Sequence, residues 1–163
     1  MSLDLRRPRV ATVICAISLC STPAQSGARP DGAKVAAEII DLTNAERIHQ
    51  GRREVRANAR LMHAAQLHAD QMARTRTLAH VLPDAGYPRA ADRLKAANYR
   101  WQTYGENIAL GQSDAMDVVY DWMHSRGHRT NILKPDFTEM GAGYAIDRAG
   151  RPYYVQVFAA PLP

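Results

Sequence analysis

Cysteine is almost missing from this 163-residue chain: Cys15 and Cys20 are the only two, and both fall within the first 24 residues. A domain that begins beyond them has no disulfide, no thiolate metal ligand and no cysteine nucleophile, so it must hold its shape by core packing alone. Lysine is nearly as scarce, at three residues against 18 arginines, and aromatic residues make up 7%. With no lysine-rich block and no aromatic RNA-binding motif, the sequence argues against a nucleic-acid partner. Long apolar runs are lacking too. The longest, Val10 to Leu19, is about half of what a stable transmembrane anchor needs. There is no internal repeat, and an apolar share of 46% with 23% charged residues excludes a disordered or fibrous chain.

The first 24 residues have the layout of a secretory signal peptide. Arg6, Arg7 and Arg9 precede the apolar run, and Ser21-Thr22-Pro23-Ala24 offers small residues for cleavage after Ala24. The expectation is export, to a periplasm or to the medium. A lipoprotein anchored at Cys20 is the rival reading, against which Leu19 stands where a small residue is expected. Residues 25–32 are turn formers and read as a flexible lead-in, which leaves residues 33–163 as one domain. The net charge is +5. Arg52, Arg53, Arg56 and Arg60 are close enough in sequence to form a modest anion-attracting patch, but a solvated loop and helix start is the simpler reading of them.

Val35, Ile39 and Leu42 recur at helical spacing and Gly51 follows as a stop, which predicts a first helix from about Ala33 to His49. Asn58 is placed to cap a second, with Leu61, Ala64, Ala65, His68 and Met72 on one face and an end near Arg76. A short helix is expected around Ala90 to Ala97, and another from about Ser113 to Ser125 that buries Val118, Val119 and Trp122. Residues 141–147 and 152–158 are β-rich runs joined by Arg148-Ala149-Gly150-Arg151, the pattern of an antiparallel hairpin. Helices first and strands last predict an α+β domain.

The six histidines differ in context. His68 sits on an apolar stripe and reads as a buried, hydrogen-bonded core residue, while His49 and His63 read as surface residues. His124 and His128 have the spacing that puts two imidazoles on one helical face, but Gly127 between them predicts that the helix stops first. Three segments carry more information: Leu78-Ala-His80, Gly105-Glu-Asn-Ile-Ala109, and Trp122-Met-His-Ser-Arg-Gly-His-Arg-Thr-Asn-Ile-Leu133. With the Leu42 to Arg47 helix, Asp92-Arg-Leu94 and the closing Phe137 to Gly143, their order and spacing resemble the CAP superfamily of cysteine-rich secretory, antigen 5 and pathogenesis-related proteins, in its bacterial branch.

That resemblance implies an α-β-α sandwich with a central antiparallel sheet, and a cleft of two histidines and two glutamates. Matched by motif, His80, Glu106 and His128 supply three of the four, and Ser125 stands where the second glutamate is usual. Two neutral imidazoles and one carboxylate suit Zn²⁺ with a water in the open position, so His80, His128 and Glu106 are the candidate metal ligands. The serine removes a carboxylate that would support the cation. The competing reading is a polar network in which Glu106 orients His80 or His128. A hydrolase with Ser125 as nucleophile, His128 as base and Glu106 as orienting group has suitable residue types, but Ser125 lies outside any Gly-x-Ser-x-Gly elbow. Asn107 and Asn131 are expected to bond backbone groups in the motif loops. The resemblance implies a secreted module that binds lipid, glycan or peptide, with a metal-dependent hydrolase as the alternative.

Overall fold

The computed structural model describes residues 30–163. The expected signal segment, its cleavage site, Cys15, Cys20 and most of the lead-in lie outside the described residues. Helix α1 (Gly32–His49) starts at Asp31, whose carboxylate accepts from the Ala33 N–H. Strand β1 (Arg56–Ala57) precedes α2 (Ala59–Thr75), which Asn58 caps as its sequence suggests by accepting from the N–H groups of Arg60 and Leu61. There follow α3 (Ala90–Ala96), β2 (Trp101–Leu110), α4 (Ala115–His124), α5 (Arg126–Leu133), β3 (Glu139–Ile146) and β4 (Pro152–Pro161).

The four strands form one sheet in the order β1-β3-β4-β2. The β3–β4 hairpin pairs antiparallel from Ile146↔Pro152 to Glu139↔Ala159, and β2 adds antiparallel along the other side of β4. The expected antiparallel sheet is thus modified at one edge, because β1 pairs with β3 in parallel through Arg56↔Glu139 and Ala57↔Met140. Two strands can run parallel there because α2, packed over the sheet, is part of the long connection between them.

Period-two alternation along β3 and β4 sends side chains to two separate cores. Met140, Ala142, Tyr144, Tyr154 and Phe158 join α1, α4 and α5 on one face. Tyr153, Val155, Val157 and Ala159 join α2 and α3 on the other. The result is an α+β, α-β-α sandwich.

Strand β2 is an edge, and its outward carbonyls would be open to water or to another chain. Two side chains cover them: Asn131 Nδ2 donates to the Glu106 carbonyl and Trp122 Nε1 to that of Ile108. Arg47, fully buried at the end of α1, donates to the carbonyls of Arg53, Ile132, Lys134 and Phe137. It ties the end of α1 to the end of α5 and supplies donors that the helix terminus lacks. Of the arginines in the expected 52–60 patch, Arg56 pairs with Glu139 and Arg60 donates to the Asn98 carbonyl.

Candidate functional site

Glu106 and Asn107 are neighbours on β2, so alternation sends them to opposite faces of the sheet. Glu106 points toward α2 and α3. Its carboxylate is 5% exposed and collects three groups: Arg93 Nη2 of α3 at 2.6 Å, His80 Nδ1 at 3.0 Å, and His68 Nε2 of α2 at 3.6 Å. Asn107 points toward α5, donating to the His128 carbonyl and to Gln156 Oε1 and accepting from Asn131 Nδ2. Gln156 in turn donates to Thr43 of α1. The asparagines therefore do bond backbone groups, but from a strand and a helix rather than from loops.

His80 lies on the connection between α2 and α3, a segment pinned from below. Arg93 donates to the carbonyls of Tyr87 and Pro88, and the Leu82 N–H also bonds the Pro88 carbonyl. The imidazole of His80 is 55% exposed. Glu106 accepts from its Nδ1–H, which leaves Nε2 of the neutral ring as an acceptor on the side away from the carboxylate.

Burial by itself would raise the Glu106 pKa. The His80 hydrogen bond, the neighbouring histidine charge and the Arg93 charge and hydrogen bond outweigh it and hold the carboxyl below its ordinary range. Arg93 is the permanent cation among these, because burial pushes His68 down to about 4 against a pull upward from Glu106. His68 is buried as its stripe implies, but neither ring nitrogen has a hydrogen-bond partner. Its polar neighbours are Gln71 of its own helix and, on the sheet, the Glu106 carboxylate at 3.6 Å, so the expected core histidine lies against the site.

This arrangement makes stability depend on pH. A histidine whose folded pKa lies below its unfolded value stabilises the fold fully above about pH 6.5 and loses that contribution as pH falls through its folded pKa. For His68 the loss should reach about 3 kcal/mol near pH 4. His128 is shifted the same way, by burial first and by His80 second. Urea unfolding of the wild type and His68→Leu across pH 7 to 4 isolates the His68 share. Their stability difference should change by most of that amount, and a constant difference would show that His68 titrates normally.

The remaining candidates are placed as follows. His128 is half-buried on α5, within electrostatic reach of His80. Ser125 sits at the junction of α4 and α5 in extended conformation, with φ −101° and ψ 119°. That break puts His124 and His128 on different helices, and Gly127 lies inside α5 instead of ending a helix. His124 turns elsewhere, with Nδ1 on the Tyr120 carbonyl and its ring against Tyr120. His49 and His63 are exposed.

The geometry does not fit the expected three-ligand metal set. Among the described residues no three His, Asp or Glu side chains are placed to share an ion, and the Glu106 oxygens already face His80 and Arg93. The triad reading fails on the same ground, since Glu106 orients His80 and not His128. Two members of the cluster escaped sequence reasoning. Arg93 gave no signal beyond its motif, whereas His68, a polar residue inside an apolar stripe, gave one that a core role absorbed.

A two-layered helical wrap around a small sheet, with a histidine–glutamate cluster at the edge strand, defines an SCP-like domain. Residues 40–158 match the family model described as CAP, the cysteine-rich secretory protein family, and the chain belongs to that family. The uncharacterized protein YkwD of Bacillus subtilis (strain 168) is 39% identical over 107 residues, which are 66% of this chain and 41% of that protein. An extracellular protein containing an SCP domain from Bacillus anthracis str. Ames superposes with a TM-score of 0.72 at 28% identity, over 78% of this chain and 41% of that one. An outer surface protein from Borrelia burgdorferi shares the fold, with a TM-score of 0.69 at 17% identity over 76% of this chain and 90% of that one. The chain spans less than half the length of the two Bacillus relatives. No helix among the described residues is long and apolar enough to cross a membrane.

Proposed function

We propose that this chain is a secreted bacterial CAP-domain module that binds a lipid, glycan or peptide through the His80–His128 cleft. The observation that carries this reading is the engagement of Glu106. A general base must be free to take a proton near neutral pH, yet this carboxylate is buried, ionised and paired with Arg93 at 2.6 Å. Its role is to fix the His80 ring and present Nε2 as an acceptor for a ligand hydroxyl or amide N–H. Such preorganisation favours affinity by reducing what must be ordered on binding.

Native mass spectrometry of protein recovered from its own host tests the proposal. A non-covalent lipid, glycan or peptide adduct should be retained by the wild type and lost in His80→Ala. Turnover of a peptide or ester substrate, abolished by Glu106→Gln in a folded protein, would contradict it and favour the metal-dependent hydrolase.

A further inference from the structure

Helix α5 has two unlike faces. His128 and Ile132, four residues apart, face inward, while Arg126, Arg129 and Thr130 follow i, i+3, i+4 spacing along the exposed side. That outer side borders a cavity of about 570 Å³, closed by Arg52 from the loop after α1 and by Asn131, Lys134 and Pro135. Four cations thus line one concavity with no carboxylate among its lining residues. Where these cations have partners, the partners are neutral: Arg129 donates to Gln50 Oε1, and Lys134 donates to Thr103 Oγ1 and lies over the Phe137 ring. None of the four forms a salt bridge among the described residues. Buried Arg47 adds a fifth positive charge behind them, close enough for Arg52 to depress its pKa further after burial has done so.

We propose that this cavity is a second binding site, separate from the histidine cleft, for a polyanionic saccharide or polyol chain carrying phosphate or carboxylate groups. Guanidinium forks match such oxyanions in pairs, and the Thr130 hydroxyl, which donates to the Arg126 carbonyl, keeps an oxygen that can accept from a hydroxyl-rich backbone. The surroundings select against other polyanions. A membrane-docking face presents large apolar side chains to the bilayer, but none of the exposed ones, such as Ile48, Met116 or Tyr120, borders this cavity. Single-stranded nucleic acid needs aromatic platforms for base stacking, and no aromatic side chain lines it.

The test measures binding of two labelled oligomers, a glycerol-phosphate chain and an oligogalacturonate, by fluorescence anisotropy at several salt concentrations. The proposal expects at least one to bind, about tenfold more weakly for each guanidinium removed in Arg52→Gln, Arg126→Gln and Arg129→Gln. The salt slope should drop by about one per charge. Which oligomer binds more tightly assigns phosphate or carboxylate as the group read. Arg74→Gln and Arg148→Gln, exposed residues outside the cavity, serve as controls with the same loss of charge. His80→Ala should leave this binding intact, which keeps the outcome distinct from that of the cleft. An equal loss in the control variants would reduce the effect to net charge and overturn the proposal. So would absence of binding to both oligomers, or tighter binding to phosphatidylglycerol vesicles or to a charge-matched oligonucleotide.

Discussion

Gly141→Ala and Gly143→Ala should each destabilise the domain by more than about 3 kcal/mol, beyond the usual range for an overpacked core. Both residues lie on the face of β3 that α2 crosses. A Cβ on Gly143 would fall 2.5 Å from the Ala65 carbonyl carbon and oxygen and 2.6 Å from the Gln66 nitrogen, and one on Gly141 would collide with the backbone of Leu61 and Met62. These are backbone atoms of a regular helix, which no rotamer change can move aside. To accept the methyl, α2 must lift from the sheet, and His68 would move away from Glu106 with it. The contrast is Gly127→Ala. Nothing lies within 4 Å of a Cβ there, so inside α5 the substitution should stabilise by up to about 1 kcal/mol through helix propensity. Urea midpoints for the three variants would settle the ranking, and a mild effect at Gly141 and Gly143 would mean that helix and sheet are not in close contact.

Glu106→Ala should cost about 3–5 kcal/mol, the range found when one partner of a buried ion pair is removed. Arg93 is 1% exposed, and with the carboxylate gone its guanidinium would remain buried without a counter-charge. His80 would lose its orienting acceptor at the same time. Replacing both charges, as in Glu106→Leu with Arg93→Met, should recover most of the loss, because an apolar pair of similar volume often matches a buried ion pair in stability. A double variant no more stable than Glu106→Ala would show that the loss comes from something other than the stranded cation.

Where hydrophobic spacing was regular, the sequence revealed the fold. Helices α1 and α2 and the β3–β4 hairpin show their periods openly, and Asn58 marks a helix start by its chemistry. Strand β2 was hidden because Glu106 and Asn107, adjacent and polar, are both buried, one on each face, so no apolar–polar alternation survives. Helix α5 was obscured by Gly127 and by arginines that face solvent. The parallel pairing of β1 rests on two residues and leaves no local pattern at all.

The site was legible in its parts but not in its assembly. The motifs bring together His80, Glu106, Asn107, Asn131 and His128, yet only the folded arrangement shows Glu106 occupied by Arg93 and His80. The same folding leaves Ser125 at a helix junction, outside that pairing. Arg93 and His68 come from helices whose spacing relative to β2 no sequence rule fixes. A buried ion pair depends on distance and dielectric, and neither can be read from residue order.

Nitrogen-15 NMR of the imidazole rings between pH 8 and 4 tests the Glu106-centred cluster most directly. It should find His80 with its proton on Nδ1 in the neutral ring, and His68 neutral until the pH approaches about 4. In Glu106→Gln the Nδ1 preference of His80 should weaken. A His68 that titrates near 6.5 like an exposed imidazole, or a His80 whose tautomer is indifferent to Glu106, would contradict the account.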